Sequence, residues 1–191
     1  MRCFVAIELP DEVRAAVVGA QQALRAAAPR TDVRWAAPNQ LHLTLKFLGA
    51  VADDRVPAVS AALDGVARDT APVPLSAAGL GAFPNPRRAR VLWSGIGTGT
   101  EALAALAAAI DRALAALGFP AETRPFSAHL TLGRVRTPRG AERLADAVAG
   151  AGASSYGSWT ATELVLYESR LRPTGAVHTP VSRHPLRGPG R

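Results

Sequence analysis

The tetrapeptide His-Leu-Thr-Leu occurs twice, at residues 42–45 and 129–132, in copies that begin 87 residues apart. Around the first copy, Leu41, Leu43, Leu45 and Phe47 alternate with His42, Thr44 and Lys46, a period-two pattern that predicts a strand with one apolar face. Side chains alternate across a strand, so His42 and Thr44 share a face, as do His129 and Thr131, while the leucines take the opposite one. Such a strand buries leucine and offers imidazole and hydroxyl, so the core itself holds the polar groups in place. A single His-x-Thr on a strand is usually no more than a half-exposed polar face. Leu-Thr-Leu would follow a given histidine by chance at a frequency on the order of 10⁻³, and here it follows two of four. Duplication or selection is the better explanation.

The surrounding segments repeat as well. Residues 2–9 read as a strand, and Pro10 with Asp11 opens a helix through the Ala-rich stretch to about residue 28. A short extended piece, 33–40, precedes the first His-Leu-Thr-Leu strand; a helix over about 55–67 and a strand over about 73–80 follow it. In the second half a strand over 91–96 leads to a helix that Thr100 is expected to cap, with Leu103, Leu106, Ile110, Leu114 and Leu117 forming an apolar stripe and Gly118 ending it. Then come the second motif strand within 126–135, a helix near 139–152, a strand over 161–171 and an edge strand at Val177–Val181. The order is not the clean alternation of a doubly wound parallel sheet. It predicts an α+β fold with largely antiparallel sheets.

At 191 residues the chain fits one folded unit with a sizeable core. The single cysteine, Cys3, excludes an intramolecular disulfide and a cysteine metal cluster, reads as a buried strand residue, and suits a reducing, cytoplasmic location. No apolar segment is long enough to span a bilayer, and the N-terminal run, interrupted by Glu8 and Pro10, lacks the pattern of a signal peptide. The net charge of +7 suits a polyanionic ligand. All but one of the 22 basic residues are arginine, however, which biased base composition alone could produce, so charge is a weak pointer.

Two imidazoles facing one cleft would supply an acid and a base, because the ordinary histidine pKa of about 6.5 lets either protonation state be populated near neutrality. One can deprotonate an attacking water while the other protonates a departing oxygen, and Thr44 and Thr131 can hydrogen-bond non-bridging phosphate oxygens. Arg134 is a candidate to neutralise phosphate charge. Strict alternation puts Arg134 with Leu130 and Leu132, so it reaches the cleft only if Gly133 permits a bulge or the strand ends there. Its counterpart in the first copy is Phe47, so the halves are unequal. Lys46 falls on the His42 face and reads as a solvated side chain. Phe4, Trp35 and Phe126 are core candidates before they are base-stacking ones.

These residues resemble the two-histidine phosphoesterases, and among them the RNA 2′,3′-cyclic phosphodiesterases also called 2′-5′ RNA ligases. The resemblance runs over RCFVAIELP, VRWAAPNQLHLTLKFLG, FPNPRRARVLWSGI, RPFSAHLTLGR and ELVLYESRL with Gly175. It implies a bilobal fold of two pseudo-symmetric lobes around a central cleft with helices outside; length and the Pro- and Gly-rich end of the chain predict one domain over residues 1–185 and a flexible tail over 186–191. The resemblance implies hydrolysis of terminal 2′,3′-cyclic phosphate on RNA, tRNA fragments among the candidates, to a 2′-phosphate, with 2′-5′ ligation in vitro. His42 would be the proton donor and His129 the acceptor; Thr44, Thr131 and Arg134 would hold the phosphate. No metal, cofactor, membrane or obligate protein partner is implied, and a monomer is expected. Ala128 stands where the family has Pro, and His178 where it has an aromatic residue.

Three other readings share parts of this pattern. A metal hydrolase would need more ligands than the motifs supply, with His178 and His184 in a Pro-rich segment. A non-catalytic RNA-end-binding module needs charge but no second imidazole. A phosphodiesterase for small cyclic nucleotides, ADP-ribose cyclic phosphate or 2′-5′ oligonucleotides would use the same chemistry on another substrate.

Overall fold

The structure, a computed structural model, describes residues 1–137, 140–172 and 175–188. Its elements are β1 (Arg2–Glu8), α1 (Asp11–Ala27), β2 (Val33–Trp35), β3 (His42–Ala50), α2 (Val56–Arg68), β4 (Val73–Phe83), β5 (Val91–Ile96), α3 (Thr100–Ala115), β6 (His129–Val135), α4 (Ala141–Gly150), β7 (Ser155–Ala161), β8 (Glu163–Arg172) and β9 (Gly175–Pro185). Eight strands follow one path, β7-β4-β5-β6-β3-β1-β8-β9, and β2 adds to β6. Every pairing along it is antiparallel.

The path has two halves, β9-β8-β1-β3 and β6-β5-β4-β7, and each joins two strands that precede residue 97 to two that follow it. The halves meet at a seam where β3 and β6 share one partnered position, Leu43 with Leu130. Both leucines are fully buried, so the seam is sealed from the core side. Helices α2 and α3 pack against each other and on β3, β8 and β9, and α1 and α4 pack against each other and on β4 and β7. Each helix buries a stripe at steps of three and four, Val13, Val17, Ala20, Gln21 and Leu24 in α1 and Leu103, Leu106, Ile110 and Leu114 in α3.

Some details depart from the sequence expectation. Gly99, not Thr100, is the N-cap of α3; its φ is +89°, and a Cβ there would run into the Pro74 carbonyl. Strand β7 has no counterpart in the predicted elements, because Ser-Tyr-Gly-Ser-Trp-Thr-Ala alternates only weakly. The predicted edge strand is longer and pairs with the whole of β8. The chain also stays attached past residue 185: Leu186 is buried, and the amides of Arg187 and Gly188 donate to the carbonyls of Ala67 and Thr70. The rest of the expected tail, 189–191, lies outside the described residues.

Lys46 corrects a further expectation. It is 3% exposed and turned away from the His42 face. Its ammonium donates to Asp111 of α3 at 2.5 Å and to the Pro120 carbonyl at 2.9 Å. The cause is a register shift: Val5 of β1 faces Lys46 while Ala6 faces Thr44, so Leu45 is an extra residue and parity changes after it. Removing Asp111 would strand a buried ammonium. D111A should therefore destabilise the fold by about 3 kcal/mol, and pairing it with K46M should recover most of the loss, as read by urea denaturation. A D111A protein as stable as wild type would contradict this.

Candidate active site

The seam fixes where the motif side chains go. With Leu43 opposite Leu130, extending the antiparallel register by one residue each way sets His42 across from Thr131 and Thr44 across from His129. All four are half-buried on the sheet face opposite the leucines. The two copies thus present imidazole and hydroxyl to one cleft, each imidazole diagonal to the other.

A bulge in β6 repeats the one in β3. Trp93 of β5 faces Thr131 and Leu92 faces Gly133, so Leu132 is the extra residue, three positions after its histidine as Leu45 is in the first copy. Leu132 and Gly133 are both buried, and Arg134 emerges on the His129 face, exposed. Gly133 is required because Val33 and Trp35 of β2 lie against it; a Cβ would stand 2.8 Å from Val33 Cγ1. The bulged carbonyl of Leu132 accepts from the Ala36 amide at 2.8 Å and from Gln21 Nε2, a buried α1 side chain, at 2.8 Å. Phe47, the positional equivalent of Arg134, also faces the cleft, 67% exposed, with its ring 6.0 Å from Phe4.

The two imidazoles differ in their surroundings. His129 lies beside solvent, its Nδ1–H donating to the Ser127 carbonyl at 2.8 Å and its ring edge-on to Phe83. That bond fixes the tautomer and leaves Nε2 for the cleft. His42 is stacked on Phe4 at 4.7 Å and meets His178 edge-on at 5.3 Å. Burial, the His178 ring and the Arg14 guanidinium hold its pKa down at about 4, against a smaller opposing effect of the Gln40 carbonyl. Arg14 also positions the strand entry, donating to the carbonyls of Leu9, Pro38 and Leu41 at 2.7–3.1 Å.

A cavity of about 430 Å³ opens beside His42, bordered by Glu8, Asn39, Tyr167 and His178. Tyr167 donates to Glu8, whose carboxylate also accepts two hydrogen bonds from Arg183 at 3.0 Å, holding its pKa below the usual carboxylate range. Phe4, Ala6, Val165 and Tyr167 form a small apolar cluster under this floor, so Phe4 is buried yet belongs to the site. Trp35 and Phe126 pack on the main core. His178 was visible in sequence only as a departure from an aromatic position; its ring takes up the edge-to-face packing such a residue would provide, and its Nδ1 has no hydrogen-bond partner among the described residues. Among the described residues no three His, Cys, Asp or Glu side chains converge as a metal site would require, and no helix is long and apolar enough to cross a membrane.

A curled antiparallel sheet carrying four helices, with paired His-x-Thr strands at its centre, defines a phosphoesterase of the two-histidine class. The family model described as LigT like Phosphoesterase matches residues 7–93 and 96–178. The chain belongs to that family. It is 33% identical over 179 residues to the RNA 2′,3′-cyclic phosphodiesterase of Methanothermobacter thermautotrophicus, covering 94% of this chain and 95% of that protein. It is 35% identical to the Thermus thermophilus enzyme of the same name, covering 98% and 91%. Among solved structures, a Thermus thermophilus protein superposes with a TM-score of 0.81 at 32% identity, covering 98% of this chain and 99% of that one. Escherichia coli LigT complexed with 3′-AMP superposes with a TM-score of 0.75 at 29% identity, covering 97% of each chain.

His42 should be neutral at pH 7 and titrate near pH 4 when followed by NMR. The unfolded chain takes up a proton near pH 6.5 that native His42 refuses, so stability should fall as pH drops from about 6.5 toward 4. Replacing His178 with Ala removes part of the burial and one cationic neighbour, and should move the midpoint upward. A His42 midpoint near 6.5 in the wild type, or one unmoved by H178A, would contradict this electrostatic description.

Proposed function

We propose that the protein hydrolyses the terminal 2′,3′-cyclic phosphate of RNA to a 2′-phosphate, as a monomer, with His42 and His129 as acid and base. The observation that carries this reading is the seam register, which turns both imidazoles and both threonine hydroxyls toward one face. Four such groups match what phosphoryl transfer asks of a protein: positioning, and hydrogen bonds to the equatorial oxygens. The names of the relatives, RNA 2′,3′-cyclic phosphodiesterase, support the substrate class.

In this scheme Thr44, Thr131 and Arg134 hold the non-bridging oxygens. His129, with Nε2 free, takes a proton from the attacking water, and His42 gives one to the departing 3′-oxygen, leaving the phosphate on the 2′-oxygen. The assignment of acid and base comes from the family resemblance. Free His42 is neutral at pH 7, so the bound phosphate must supply its proton affinity: the anion replaces water beside the ring and raises its pKa. An RNA 5′-hydroxyl in place of water would give a 2′-5′ linkage through the same groups. Phe47, exposed beside Phe4, offers a stacking surface for the terminal base.

Purified protein in EDTA should convert RNA ending in 2′,3′-cyclic phosphate to the 2′-phosphate, and H42A and H129A should each lose about 10²–10⁴-fold in rate. A p-nitrophenyl phosphodiester separates the roles, since nitrophenolate leaves without a proton. H42A should recover most of its activity on that substrate, and H129A should not. Equal loss of both variants on both substrates would contradict the assignment, and an intact cyclic end with folded wild-type protein would overturn the reaction.

The pH dependence of kcat/KM should show a limb near pH 4 from His42. A flat profile across pH 3–9 with chemistry rate-limiting would contradict acid–base catalysis.

A further inference from the structure

Next to the phosphate-holding residues the sheet brings together two arginines. In the β2–β6 pairing Arg34 is the direct antiparallel partner of Arg134. Val33 and Trp35 point to the core, so Arg34 projects from the same face as Arg134, and both are exposed. Among the described residues neither makes an ion pair. Like charges directly opposite each other on adjacent strands repel, so such a pair is unfavourable unless an anion lies against it.

The position of the Arg34 side chain adds a second observation. Its Nη2 lies 3.4 Å from where a Cβ on Gly175 would stand, and the Gln40 amide lies 3.6 Å from the same point. Gln40 in turn donates to the Ala176 carbonyl. The guanidinium therefore reaches from β2, in one half of the sheet, to the start of β9 in the other, three residues before His178. β2 lies on the same side of β6 as β3, and cross-strand Cβ atoms are about 5 Å apart, so Arg34 continues the cationic face of Arg134 past the end of the β3–β6 seam. A second phosphate of the same strand is the ligand that fits this continuation.

We propose that Arg34 binds the internucleotide phosphate immediately 5′ of the cyclic end. This subsite lets the enzyme prefer oligonucleotide ends to cyclic mononucleotides, and the proposal rests on the phosphodiesterase reading of the cleft. A mononucleotide has no group to offer Arg34. An oligonucleotide fills both guanidiniums, relieves their repulsion and commits the RNA body to leave the cleft along β2.

The test compares adenosine 2′-phosphate with ApA bearing a 2′-phosphate, each bound to wild-type and R34A protein by calorimetry. Wild type should bind the dinucleotide at least about tenfold more tightly than the mononucleotide, equivalent to about 1.4 kcal/mol. In R34A that ratio should collapse to within about twofold. The salt dependence of dinucleotide binding should also lose about 0.7 in log–log slope, the signature of one phosphate contact on a single strand. A wild-type protein without dinucleotide preference, or an R34A protein that keeps it, would overturn the proposal. Because the readout is equilibrium binding of products, it is independent of catalysis: a dinucleotide preference lost in R34A supports the subsite even if a cyclic phosphate is never opened, an outcome that would instead overturn the reaction proposed above.

Discussion

One extra residue in each of two strands governs which side chains enter the cleft. Leu45 in β3 and Leu132 in β6 each displace the pleat by one position, so the next polar side chain after the His-x-Thr pair changes face. Without the first bulge, Lys46 would stand in the cleft and Phe47 would be driven into the core. Without the second, Arg134 would be buried among leucines with no partner, a position that desolvation of a guanidinium makes prohibitively costly. A one-residue slip reverses every side chain beyond it, and two equivalent slips preserve the pseudo-symmetry of the halves. The core confirms the register from the other side: Leu43 and Leu130 are completely buried at the seam, and Lys46 finds Asp111 there.

Side chains of α1, donating to backbone carbonyls, hold these irregular positions. Gln21 reaches 111 residues along the chain to the bulged carbonyl of Leu132, and Arg14 binds three carbonyls around the entry to β3. A bond such as that of Gln21, the buried one of the four, is worth about 1 kcal/mol in stability. The larger effect of the four is geometric, since the same helix fixes the approach to His42 and the departure from His129. The two imidazoles end in different settings, one stacked in an aromatic and apolar corner, the other beside solvent with its tautomer fixed by Ser127. That difference, and the substitution of Arg134 for Phe47, gives a nearly symmetric scaffold an unsymmetric site.

Much of this was legible in the sequence because it is periodic. The alternation around His42 and the three-and-four spacing from Leu103 to Leu114 specify strand and helix directly, and the duplication specifies that two like strands must be accounted for together. What escaped was set by long-range pairing. Parity counted along one strand cannot register a bulge whose cause lies on its neighbour, so it puts Lys46 on the wrong face and makes Arg134 conditional on a bulge at Gly133. His178 carries no motif; it matters because β8–β9 pairing folds it back onto Phe4 and His42. Strand β7 lacks a clean alternation, and β2 is too short for periodicity to reveal that Arg34 meets Arg134.

The proposed reaction requires a single phosphate to lie between two imidazoles carried on adjacent strands. The most direct test is to titrate adenosine 2′-phosphate into protein with ¹⁵N-labelled histidine and follow the ring nitrogens of His42 and His129 by NMR. Both should shift along one saturation curve with the same Kd, His42 gaining proton character as the anion arrives, while His184, buried against Asp64, stays unchanged. Two different curves, or a response confined to one imidazole, would contradict a shared phosphate and with it the paired acid and base.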